Sequence, residues 1–169
     1  MNPVSSRLCP LLGGCACLLL LGVSAGAENL ALLPGVLGTS QFYASDPTSG
    51  LALGGRDPML YQLEGPSRGG TREREALWGG VAWRFASEAN RAAFLRSPET
   101  FAPRIGGYDA EAASEGRLVE ASPDIFLLRA GRLYLFRTDA SRERFKGSTD
   151  AASRAEANWP KLQGVLVRG

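Results

Sequence analysis

After Cys17 this 169-residue chain contains no cysteine, and it contains no histidine at any position. Whatever the later residues fold into must stand without disulfide staples. Zinc or copper sites built from thiolate and imidazole are excluded there, and so is Ser-His-Asp or Cys-His catalysis, which needs an imidazole to take the nucleophile's proton. Stability has to come from one apolar core. A composition of 44% hydrophobic and 21% charged residues is sufficient for a single modest domain of ordinary globular type.

The first 27 residues read differently from the rest. Arg7 is their only charge, Cys17 to Val23 is an apolar run, and Ala25-Gly26-Ala27 is a small-residue site. This is the layout of a secretory signal peptide cleaved after Ala27, which places the mature chain, starting at Glu28, in the periplasm or outside the cell. An uncleaved anchor is the alternative, but the apolar run is short for a bilayer. Leu12-Gly13-Gly14-Cys15 has its cysteine ahead of the apolar run, unlike a lipoprotein box. No stable membrane insertion is expected once the segment is removed. Net charge is +2, and Arg68, Arg72 and Arg74 are answered at once by Glu73 and Glu75, so no basic stripe suited to nucleic acid is expected.

Along the mature chain, Gly54-Gly55-Arg56-Asp57-Pro58 is turn chemistry, Met59 to Leu63 alternates as a short strand, and Gly65 to Thr71 is a polar loop. Two alternating runs flank Gly79-Gly80, which predicts a β-hairpin with Val81, Trp83 and Phe85 on its core face. Ser87 is placed to N-cap a helix over Glu88 to Leu95, and Pro98 to Pro103 reads as a further helical turn ended by Gly106-Gly107. A second hairpin is expected from Ile125–Leu128 to Leu133–Phe136 around Ala130-Gly131. Ser141 to Phe145 and Ala151 to Asn158 are helical in composition, with Trp159-Pro160 closing the last helix and Leu162 to Val167 forming a terminal strand or arm.

These segments together resemble the YHS domain in its exported form. The likeness is carried by Gly50 to Pro58, by Trp83-Arg84-Phe85-Ala86-Ser87-Glu88 with Asn90, and by Phe94, Pro98-Glu99 and Phe101-Ala102-Pro103. It continues through Gly106-Gly107-Tyr108, Gly131 to Leu135, and Ala157-Asn158-Trp159-Pro160-Lys161-Leu162. The resemblance implies a small α+β domain of two β-hairpins with short helices packed on one side. It divides the chain into a signal peptide (1–27), a leader (28–50), the YHS-like domain (51–162) and a tail (163–169). It also implies a metal-binding ancestry whose ligand positions fall here at Leu60, Gly79, Ala86 and Asn90, with Asp109 where exported members commonly carry a cysteine. The family's metal chemistry therefore does not carry over, and no cofactor is expected.

What the chain then does is expected to be binding without catalysis, of a small ligand or a protein partner. Trp83, Tyr108 and Asp109 are the candidate ligand-binding residues, since aromatic rings commonly wall small-molecule sites. The same rings also serve as core, and Asp109 has two other uses open to it, capping a backbone N–H or pairing with Arg104. The alternative function is a hard cation such as calcium or magnesium on Asp109, Glu111, Glu115, Glu120 and Asp124, because carboxylate oxygens suit such ions; a solvated surface is the plainer account of those acids. Carboxylates alone offer a third possibility, hydrolysis, which needs two acids in opposed environments facing one cleft.

Overall fold

The computed structural model describes residues 42–63 and 69–166. The expected signal peptide, most of the leader, the first part of the polar loop (residues 65–68) and the last three residues lie outside them. The fold is α+β. Two antiparallel hairpins form separate two-stranded sheets, β1 (Thr71–Trp78) with β2 (Val81–Phe85), and β3 (Ser122–Arg129) with β4 (Arg132–Phe136). Helices α1 (Glu88–Arg96), α2 (Pro98–Phe101) and α3 (Ala110–Ser114) lie between the hairpins, and α4 (Asp139–Gly147) and α5 (Ala151–Leu166) follow them.

The chain makes one construction twice. Leu53-Gly54-Gly55-Arg56-Asp57 returns as Ile105-Gly106-Gly107-Tyr108-Asp109, 52 positions on (57 to 109). Phe85-Ala86-Ser87-Glu88-Ala89-Asn90-Arg91 returns as Phe136-Arg137-Thr138-Asp139-Ala140-Ser141-Arg142, 51 positions on (85 to 136). Each Leu/Ile-Gly-Gly loop holds three consecutive residues at positive φ, from 55° to 80° in the first and from 58° to 83° in the second. The aspartate after each loop reaches the end of its hairpin: Asp57 Oδ2 accepts from Ala86 N–H, and Asp109 Oδ2 from Arg137 N–H, both at 2.7 Å. Ser87 and Thr138 then cap α1 and α4 by accepting from Asn90 N–H and Ser141 N–H, both at 3.1 Å. Even the register irregularity repeats, between Thr71 and Glu75 and between Ser122 and Phe126. Residues 53–96 and 105–147 are therefore two half-units of one plan.

Two apolar clusters hold the half-units. Val81, Trp83, Phe85 and Phe94 centre the first; Tyr134, Phe136, Phe145 and Ala155 centre the second. Strand β4 serves both. Leu133 and Leu135 point into the first cluster and Tyr134 and Phe136 into the second, so its last four residues are all buried, whereas β2 alternates buried and half-buried. Burying a side chain such as Phe85 or Phe136 stabilises the fold by about 1.5–3 kcal/mol.

Three local expectations are corrected. Residues 59–63 do not form a strand. Leu60–Gln62 is a 3-10 turn, because Asp57 Oδ1 takes the Met59 N–H at 2.8 Å and the Asp57 carbonyl takes the Leu60 N–H. Helix α5 does not stop at Trp159-Pro160 but continues to Leu166, and Leu162 is helical rather than part of a strand or arm. Pro160 is exposed and forfeits one backbone bond, while buried Ala155 and Leu162 on either side anchor the segment to the core. The acidic stretch after Asp109 is not a solvated surface throughout, since all of α3 is buried and Asn158 of α5 donates to the carbonyls of Ala113 and Ser114 at 3.0 and 3.2 Å.

Candidate functional site

A cavity of about 240 Å³ opens where the two half-units meet, smaller than the roughly 300–1,000 Å³ of drug-sized ligand pockets and so suited to a compact molecule. Leu53-Gly54 borders it from the first half-unit and Gly106-Gly107 from the second, so both positive-φ loops contribute to one wall. Left-handed backbone at Leu53, and above all at the β-branched Ile105 beside the wall, costs on the order of 1–3 kcal/mol per residue. Such strain persists where the surroundings over-determine it, and here it recurs at the same place in both copies. Residues 43–47 close the third side. Ala44 N–H donates to Gly106 O at 2.7 Å, and the Tyr43 ring meets Trp78 and Trp83 with centroids 5.0 and 5.3 Å apart. Burial pushes the Tyr43 hydroxyl up to about 12, helped by the charge of Glu99.

The floor is apolar and the rim is polar. Trp83 and Leu135 lie beneath; Asp46, Arg56 and Glu120 stand around the opening. Arg56 is committed: one guanidinium nitrogen donates to both oxygens of Asp124 at 2.7 and 2.9 Å, and another to Leu53 O at 3.4 Å. Asp46 uses one oxygen three times, accepting the Thr48 N–H, the Ser49 N–H and the Ser49 hydroxyl. The Ser49 bonds, backbone first, hold its carboxyl below the usual range.

The three residues singled out from sequence are not gathered into one site. Trp83 is 0% exposed, donates its indole N–H to Trp78 O at 2.9 Å, and reaches the cavity only as its floor. Tyr108 is half-buried and lies outside the cavity wall, its ring 6.0 Å from that of Trp159 and its hydroxyl pKa raised by burial and by Glu120. Asp109 is 2% exposed and N-caps α3, accepting the Ala112 N–H at 2.9 Å on the oxygen not used by Arg137. Tyr43, Asp46 and Arg56, which do surround the cavity, were not among the candidates, and Glu120, which joins them there, was considered only as one carboxylate of a hard-cation set. The turn-forming string Asp46-Pro47-Thr48-Ser49-Gly50 and the repeated Gly-Gly-x-Asp were the signals available for finding this region.

A second cavity of about 260 Å³ lies nearby against Arg104, Glu156 and Trp159. Its polar groups answer one another: Glu156 accepts from Tyr134 Oη at 2.6 Å, from Arg132 at 2.9 Å and from Arg104 at 3.3 Å.

The carboxylates proposed for a hard cation are dispersed over separate partners. Asp109 faces backbone N–H groups, Glu111 lies 3.5 Å from Arg144, Glu115 pairs with Arg117, and Asp124 with Arg56. Among the described residues no three His, Cys, Asp or Glu side chains come together as an ion would require. The positions matching the YHS metal ligands do not fit a metal either. Leu60 is buried and apolar, Gly79 and Ala86 have no donor side chain, and the Asn90 amide donates to Asp57 Oδ2 at 2.7 Å. Comparison of the chain with family models, with curated proteins and with solved structures finds no match.

Proposed function

We propose that the protein is a non-catalytic, exported binding domain of the YHS type, which holds a small molecule in the cavity between its two half-units. The observation that carries this reading is the construction of that cavity. Two copies of a strained glycine loop border it, its floor is apolar, and its charged groups stand at the rim, the usual layout of a small-molecule site. The metal-ligand positions of the YHS pattern hold Leu60, Gly79, Ala86 and Asn90, which leaves the scaffold to bind organic matter. On this reading the segment up to Ala27 directs the chain to the periplasm or the medium, and no chemical step is assigned to it.

Native mass spectrometry of the purified protein tests the reading. A retained molecule of a few hundred daltons or less is expected, and Ser45→Trp, a half-buried position on the cavity wall, is expected to lose it while the melting temperature stays within a few degrees. A mass equal to the bare polypeptide, together with no stabilisation across a metabolite screen, overturns the small-molecule reading and leaves a protein partner as the occupant to seek.

A further inference from the structure

The rim of the same cavity carries unequal charge. Among the described residues its one cation, Arg56, is already matched by both oxygens of Asp124. Of its two anions, Asp46 has Oδ2 free of any hydrogen bond among the described residues, because all three of its donors converge on Oδ1. Glu120 makes no side-chain hydrogen bond or ion pair among the described residues and is exposed at the opening. A ligand entering here meets unspent negative charge above an apolar floor of Trp83, Leu135 and Leu53 and beside the ring of Tyr43. An anionic ligand would have to pull Arg56 from Asp124 and pass two carboxylates. A neutral one would gain from the floor alone. A cation with an apolar body satisfies both layers at once, since an ammonium is stabilised by carboxylates and by the face of an aromatic ring.

We infer that the cavity selects small organic cations, a primary or quaternary amine carrying a short apolar group, seated with the apolar group on the floor and the ammonium at Asp46 and Glu120. This rests on the small-molecule reading above.

Isothermal titration of the purified protein with three molecules of nearly one shape tests it: 2-phenylethylamine, 2-phenylethanol and phenylacetate. The amine is expected to bind about tenfold more tightly than the alcohol, from two rim contacts of modest strength each, and phenylacetate more weakly than either. Glu120→Gln and Asp46→Asn are each expected to weaken the amine about three- to fivefold and leave the alcohol unchanged, and raised salt is expected to narrow the gap. Equal affinities for amine and alcohol, or a preference for phenylacetate, overturn the charge selection while the cavity remains a binding site. Binding of none of the three also overturns it, and native mass spectrometry then separates the cases: a retained solute leaves the small-molecule reading standing, and a bare polypeptide removes both.

Discussion

The two half-units share a frame and differ in what fills it. In the first, Asp57 accepts three hydrogen bonds, from Met59 N–H, Ala86 N–H and the Asn90 side chain, and its cluster is centred on packed aromatic rings, with Phe94 5.0 to 5.6 Å from Trp83, Phe85 and Trp78. In the second, Asp109 accepts two, both from backbone, and the aromatic positions acquire polar handles. Tyr134 donates to Glu156, while Arg129 lies 5.0 Å over the ring of Phe145 and donates to the carbonyls that end α4. Gly70 of the first half-unit has Ala121 as its counterpart. A Cβ at Gly70 would lie 2.2 Å from the Arg84–Phe85 peptide, so the tighter copy needs glycine where the other carries a side chain. The comparison teaches that the loop, the buried aspartate and the capped helix are the invariant frame, and that the space around the frame is where the copies were free to diverge.

The largest effect that tests this comparison is removal of the aspartates. Asp57→Ala strands three part-buried donors and is expected to cost about 4 kcal/mol in urea unfolding, against about 3 kcal/mol for Asp109→Ala, which strands two. Equal losses would break the proposed ranking, and a negligible loss at either would remove that aspartate from the frame. Alanine at the middle glycine of each loop sharpens the contrast. A Cβ at Gly106 would sit 2.1 Å from Phe42 O and 2.7 Å from Trp159, while at Gly54 it meets the Arg56 guanidinium at 3.1 Å and Pro123 at 4.0 Å. Gly106→Ala is accordingly expected to lose about 3 kcal/mol and Gly54→Ala about 1 kcal/mol, the latter mainly from positive φ.

Two smaller effects follow. Ser87→Ala and Thr138→Ala remove equivalent caps and are each expected to lose about 1 kcal/mol, so a clear inequality would show that the helices are not held alike. Tyr134→Phe is expected to cost less than about 1 kcal/mol at neutral pH. Its signature is pH dependence. Burial opposes ionisation of Glu156, but the Tyr134 hydrogen bond and the guanidinium groups of Arg104 and Arg132 outweigh it and lower its pKa. A lowered folded pKa gives stability that is present above the ordinary glutamate value and is lost as pH falls through the folded one. Chemical unfolding from pH 7 down to pH 3 should show a shallower acid-side loss in Tyr134→Phe than in the parent, and parallel curves would contradict the network.

The hairpins and the first capped helix are legible in the sequence because they are local. Alternation around Gly79-Gly80 and Ala130-Gly131, and Ser87 before Glu88, depend on neighbours within a few residues. The 59–63 turn and the continuation of α5 through Pro160 depend on Asp57 and on core contacts respectively, so pattern alone misassigns them. The duplication is written in Leu53-Gly54-Gly55-Arg56-Asp57 and Ile105-Gly106-Gly107-Tyr108-Asp109, but the stretches after the two aspartates differ, a 3-10 turn in one and buried α3 in the other, and this disguises it. The cavity was least legible, because residues near 45, 54, 106 and 120 meet only after both hairpins have packed.

The account turns on a small molecule lying between the copies, and amide chemical-shift mapping during titration with 2-phenylethylamine tests that most directly. The account predicts saturable shifts concentrated at residues 43–47, 52–56, 106–107 and 120–121, drawn from the entering segment and from both half-units. Shifts confined to one half-unit, centred on Glu156 and Trp159 instead, or absent at saturating amine would contradict it.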